Sequence, residues 1–521
     1  MTALLILTAF FLLTLVIGIR ARQKQKMNLE NWAVGGRSFN TVFVFLLTAG
    51  EVYTTFSFLG GSGWAYSKGI SAVYVMVYIA LSYVTSYFLL PLIWKYAHEH
   101  RLVSQSDFFA KKYNSNLLGV VVAVVGVIAI IPIVVIQLKG LGIIVSLTSY
   151  GAIPMKVAVV VGTIAIIIYS VISGIRGIAW IAVLKDFMIL AVIVFMGIYL
   201  PVHYYGGIGQ MFDQIAAVKP ELLTFPHTTY TVTWFISTVL FYVLGFYMWP
   251  QVFASTFTAK NARTFRKNAI ISPIYTLMLL FVIFIGLTAV LQVPGLEGDA
   301  SDLALLQLAM KTFDPWFVGI IGAAGMLTAL VPGSMLLMSA ATLLTKNIIY
   351  SYKPDTSDAK IASLSKFCVP VLAIISCLFV FQGGNALAAI LQVGYSLIVQ
   401  LCPSLFASLM KRNPVTKQGA LAGIIVGILI TIFISNYSMT LATLLPNVPT
   451  AISDINIGFL PLIANIIVTL IVSLLTRKKN ADGLKKLSAF FVSIPYQSSF
   501  SFSSSAESCN TQPPPQAMKY Q

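Results

Sequence analysis

Residues 48–55, Thr-Ala-Gly-Glu-Val-Tyr-Thr-Thr, put a carboxyl, a phenol and three hydroxyls inside an apolar run covering 40–62. A carboxylate at the centre of a membrane-spanning helix costs about 2.5–3.5 kcal/mol on insertion scales, so such a residue faces a cavity or a partner. Gly50, directly before Glu51, weakens the helix at the same point. Polar, Gly-interrupted helices are how many transporters build a solute and ion site at mid-depth. The plainer reading is a polar kink that only packs against other helices, but five polar side chains in eight residues exceed what packing needs. Binding a small anion would need donors. The candidates are Tyr53 and Thr55, Glu51 beside them, and the positive end of the half-helix that follows the break. Tyr247 and Trp249, closing a later apolar run, could wall the pocket, although aromatics near span ends are more often interfacial belt residues.

These residues need a membrane body to hold them. The chain has 521 residues, 58% hydrophobic and only 9% charged, and many of its apolar runs reach the roughly 18 residues that read as a transmembrane helix. An all-α polytopic membrane protein is expected, with spans near 2–18, 40–60, 70–94, 117–138, 155–173, 179–200, 231–250, 269–292, 316–344, 367–382, 386–409, 418–435 and 456–475. The first lacks a basic leader and a small-x-small cleavage site and reads as a retained helix. With the N-terminus outside, 26 Lys and Arg fall in loops on the inner side and five in loops on the outer side. That bias is the positive-inside pattern and puts the C-terminus in the cytoplasm of a cell-membrane protein. It also accounts for the net charge of +17 without nucleic acid. The expected partners are a small-molecule solute and membrane lipid, with no obligate protein partner.

Four cysteines without a C-x-x-C and four histidines in loops point to neither a disulfide framework nor a zinc site. No cofactor is indicated, no cluster of metal ligands, and no catalytic constellation for an enzyme. The acids of 293–315 read as a solvated outer loop. Residues 1–475 form the transmembrane domain. The tail, 476–521, is basic and then Ser/Pro-rich, and is expected to be disordered. Thirteen spans divide as one leading helix, two sets of five (about 40–200 and 231–409) and two trailing. If spans 2 and 7 open inverted repeats, both should be interrupted. Span 2 has Gly50, and span 7 has Gly245 and ends in Tyr247-Met248-Trp249-Pro250.

Three local patterns carry a family resemblance. Asn31-Trp32-Ala33-Val34-Gly35-Gly36-Arg37-Ser38 resembles the Gly-Arg-Ser motif before the second span of the sodium:solute symporter family. Ser173-Gly174-Ile175-Arg176-Gly177-Ile178-Ala179-Trp180 looks like that family's Gly-rich turn and Trp. Pro250 with Phe257-Thr258-Ala259-Lys260-Asn261-Ala262-Arg263 resembles its loop after span 7. The resemblance covers roughly 2–475 and implies a LeuT-type fold of two inverted five-helix repeats, with cation-coupled uptake of a small solute by alternating access. Lys185-Asp186 and Ala329-Leu330-Val331-Pro332 are similar to the family's bacterial monocarboxylate permease branch, which implies a substrate such as lactate or pyruvate.

The resemblance implies sodium as coupling ion, yet the two adjacent hydroxyls that sodium-coupled relatives place in span 9 are here Val331 and Pro332, and an Asp after the span 6 Trp is here Ala182. The remaining candidate ligands are Glu51, Thr54, Thr328 and Ser334, with carbonyls of Glu51, Thr54 and Thr328 freed by the break and by Pro332. Glu51 could instead bind and release a proton, making the proton the coupling ion. Lys185 and Asp186, near the start of span 6, read most simply as an ion pair on the cytoplasmic side. A membrane sensor that kept the fold is the rival from another class, and a channel is a second.

Overall fold

The apolar runs become helices, and among the described residues the only β-pairing is an isolated parallel bridge between Phe39 and Ala259. The structure is a computed structural model that describes residues 1–21, 28–353, 355–382 and 386–492. Among these, ten helices are long and apolar enough to cross a membrane, and eleven when a bent pair is joined.

Two of the ten are hairpins. Phe56–Glu99 turns at Gly69, where φ is +60° and only glycine is at ease. After the turn Trp64 meets Tyr74 edge-on, and the Tyr83 hydroxyl reaches back to Thr48 O at 3.2 Å. Met155–Tyr205 turns at Gly174, φ +57°. Its descending limb passes Leu141 at Gly162 and ends beside Gly18, while its ascending limb reaches Thr288 through the Tyr205 hydroxyl. Counting each limb once, and joining Thr41–Val52 to the limb after it, gives thirteen crossings in the expected order.

Spans 2 and 7 are both broken. Thr41–Val52 is capped by the Asn40 side chain, which accepts from Phe43 N (3.0 Å). Tyr53 leaves helical geometry (φ −83°, ψ 78°), and the chain rewinds as a π-turn over Phe56–Gly60 and then Gly61–Lys68. Val232–Phe246 stops before Tyr247 and resumes at Pro250–Phe257, bent by 53°. Pro250 suits a first helical turn, where its missing N–H would be unpaired anyway.

All three sequence motifs meet at one end of this body. Phe39 N donates to Thr258 O (3.0 Å) and Lys260 N to Phe39 O (2.9 Å), tying the start of span 2 to the end of span 7. Arg176 donates to Gly35 O and Ser38 Oγ, and Trp32 Nε1 to Ser170 O (2.9 Å). Gly35 and Gly36 are at φ +59° and +63°, which is why that motif carries glycines.

Span 6 begins at Gly174, five residues before the expected 179. Lys185 therefore lies eleven residues into the helix. At 1.5 Å per residue that is about 16 Å, half-way through a hydrocarbon core roughly 30 Å thick. The pair with Asp186 is not at the cytoplasmic surface: the two side chains are 0% and 3% exposed. Met1–Leu474 form one compact unit, and a second starts at Leu475. The final helix, Phe459–Val492, runs past the expected end at 475 and through the basic run placed in the disordered tail. Lys, Leu and Ala favour helix there, and no proline intervenes before 495. The Ser/Pro-rich remainder, 493–521, lies outside the described residues.

Candidate solute and ion site

The two broken spans enclose a cavity of about 90 Å³. Glu51 and Thr54 reach it from the break in span 2, and Tyr247 and Trp249 from the break in span 7. Tyr247 is held by its hydroxyl, which donates to Ser82 O (2.9 Å), and Trp249 lies edge-on to Tyr395 at 5.3 Å. Four of the expected site residues therefore share one cavity.

The other four are engaged elsewhere. The Tyr53 hydroxyl donates to Tyr275 O (2.7 Å), and its ring packs edge-on against Tyr275. Thr55 is fully buried, its hydroxyl donating to Ile136 O and Gln137 Oε1, both 3.1 Å. The Thr328 hydroxyl bonds back to Gly325 O (2.6 Å) and that of Ser334 to Leu330 O (2.7 Å), as buried hydroxyls on apolar helices commonly do. None of the four is among the lining residues. Of the carbonyls expected to be free, that of Thr54 accepts from Phe58 N (3.1 Å). The carbonyls of Gly50 and Tyr53 also lie at the break, and both accept from Lys185 Nζ, at 2.7 and 3.2 Å.

The polar wall of the cavity comes largely from residues outside the motifs of the sequence. Gln251 and Ser255 sit one turn apart on Pro250–Phe257, and Asn268 and Ser272 one turn apart on Arg263–Thr276. Among the described residues, both Glu51 carboxylate oxygens, Gln251 Oε1, both amide atoms of Asn268 and Ser272 Oγ are buried without a hydrogen-bond partner. Ser255 lies beside Glu51, but its hydroxyl donates to Val252 O (3.0 Å). An unpaired buried polar group costs on the order of 1–3 kcal/mol, so four side chains left this way around one cavity mark a place made for a polar guest. The lining has no Lys or Arg.

A larger cavity, about 610 Å³, opens between Gly61–Lys68 of span 2 and the first half of span 7. Trp64 of span 2 and Trp234 of span 7 stack across it, centroids 6.0 Å apart and planes 12° from parallel, with Tyr230 edge-on to both.

Comparison with known proteins places these features in context. A family model described as the sodium:solute symporter family matches residues 32–427. The chain is 56% identical over 476 residues to the uncharacterized symporter YhjB of Bacillus subtilis, covering 91% of this chain and 97% of that protein. It is 30% identical over 444 residues to a monocarboxylate transport permease protein of Rhizobium johnstonii, covering 82% and 87%. Among solved structures, a Na+-coupled sialic acid symporter in a substrate-bound, outward-open state superposes with a TM-score of 0.76 at 16% identity, over 91% of this chain and 98% of that one.

Proposed function

The chain belongs to the sodium:solute symporter family, and from that premise we propose that it takes up a small monocarboxylate, such as lactate or pyruvate, together with a cation and by alternating access. It is an integral membrane protein of the LeuT-type fold. The observation that carries the substrate reading is the cavity between the two helix breaks, where the amide of Asn268 and the hydroxyl of Ser272 are buried and unpaired. Neutral donors of this kind hold a carboxylate without a fixed counter-charge, so the site can also let it go. The permease relative from Rhizobium johnstonii lends the substrate class further support. The protein is placed in the cell membrane, N-terminus outside and C-terminus in the cytoplasm, on the distribution of Lys and Arg.

The family's description favours sodium as the coupling ion. Proton coupling is the second reading, and the unpaired Glu51 carboxyl favours it. A bound carboxylate and an ionised Glu51 in one small cavity repel each other, and one proton removes the conflict. The test is labelled pyruvate or lactate uptake into proteoliposomes under an imposed sodium gradient or an imposed pH gradient. Accumulation above acid diffusion under either gradient is expected. None under either, from protein that remains folded, overturns the substrate.

A further inference from the structure

We infer that the Lys185 ammonium is a tethered cation standing where a free sodium ion would be held at the break of span 2, so that this protein transports without sodium. The break leaves two backbone carbonyls pointing inward, Gly50 and Tyr53, and carbonyls at an unwound segment are what transporters of this architecture offer a sodium ion. Here both accept from Lys185 Nζ, at 2.7 and 3.2 Å. Asp186 Oδ1 lies 3.0 Å from the same nitrogen. An ammonium has three donors and no acceptor, and three oxygens surround it. Asp186 matches its charge within ion-pair distance, and both Asp186 oxygens are buried without a hydrogen-bond partner among the described residues.

The rest of the position is equally unsuited to sodium. A Cβ built on Gly50 would lie 3.2 Å from Lys185 Nζ, 3.7 Å from Ala182 Cβ and 3.8 Å from Val331 Cγ1. Beside Gly50, spans 6 and 9 thus present the methyl groups of Ala182 and Val331 together with the ammonium. The hydroxyls of Thr328 and Ser334 donate to carbonyls of their own helix, and neither residue lines the cavity. A sodium ion, which takes several oxygens, would find two carbonyls already occupied and a like charge between them. Glycine at position 50 leaves room for the lysine, since a Cβ there would come within 3.2 Å of its nitrogen.

The inference rests on the transporter reading only for its uptake arm, so its first test needs no substrate. The full-length purified protein is unfolded thermally in sodium chloride and in choline chloride at equal ionic strength. Wild type should have the same apparent Tm in both. Lys185→Ala frees the Gly50 and Tyr53 carbonyls and the Asp186 carboxylate, and should be stabilised by sodium and not by choline. A saturable sodium-specific rise in the wild-type Tm overturns the inference, as does a folded Lys185→Ala that is indifferent to sodium. Should Lys185→Ala fail to fold, the wild-type comparison decides. In proteoliposomes, uptake under a pH gradient should be the same with and without sodium, and a sodium requirement overturns the inference. Absence of uptake under every gradient refutes the proposed substrate and leaves the stability comparison to judge Lys185.

Discussion

At the scale of single residues, Glu51 and Asn268 make the sharpest predictions. Glu51 is the sole carboxylate lining the inner cavity and has no hydrogen-bond partner among the described residues. Glu51→Gln should lower uptake by about tenfold or more, the least that loss of a group positioned to take up and release a proton would cost, and should flatten the pH dependence of what remains. Unchanged uptake with an unchanged pH profile would remove Glu51 from the mechanism. Asn268→Ala should raise the KM for the carboxylate about tenfold, the equivalent of one hydrogen bond to a charged group. Thr328→Ala should change uptake by less than about twofold, because its hydroxyl serves its own helix. Glu51 was legible because a carboxylate in an apolar run has few bland explanations. The pairs Gln251/Ser255 and Asn268/Ser272 carried a readable signal, polar side chains four residues apart beside apolar runs, but Asn268 lay on a predicted span boundary and Gln251 outside a span. Gln137 and Tyr395 stand singly, and only the fold brings them to the cavity.

At the scale of elements, two carboxylates outside the spans fasten helices together, with opposite dependence on pH. Asp107 closes a capping box with Ser104 and binds Lys346 (2.6 Å) and Asn347 (2.7 Å) at the end of span 9. Burial alone would raise its carboxyl, but the Lys346 ammonium and these hydrogen bonds hold it below the usual value. Its stabilisation is therefore present above the ordinary carboxylate range near 4 and lost as pH falls through the lowered native value. Asp107→Ala removes the cap and strands a lysine, and should cost about 2–4 kcal/mol, read as a lower apparent Tm at pH 7. Asp302, in the connection between spans 8 and 9, accepts from Leu387 N (3.0 Å) at the start of span 11. Burial pushes its carboxyl up to about 6. The fold therefore prefers it protonated, and the stability it contributes below pH 4 is lost as pH rises through about 6. Asp302→Asn keeps an acceptor and should exceed wild type in apparent Tm at pH 7.5, with the gap narrowing towards pH 5. The sequence suggested only a solvated acidic loop here, because the partner of Asp302 lies 85 residues away.

At the scale of the whole molecule, the order of the thirteen crossings was legible from apolar length and charge, and the interruption of spans 2 and 7 from Gly50 and Pro250. The depth of Lys185 was not. It hangs on where span 6 starts, and an apolar run continuing through a glycine gives no edge; the tight contact of Gly174 with Trp32 fixes the turn. One cation moving with one carboxylate anion carries no net charge. A membrane potential of about 100 mV should then leave accumulation unchanged, whereas a second cation would add roughly 2.3 kcal/mol of drive. Solute-induced current on a supported membrane separates the two: none is expected for one-to-one coupling.

The stacked indoles of Trp64 and Trp234 give this machine its own optical gauge. They ride on facing halves of the two broken spans, and a cycle that parts those halves must also part the rings. Emission from this pair would then report each opening in real time, with no dye attached, against a background of only five other tryptophans in the chain's seven.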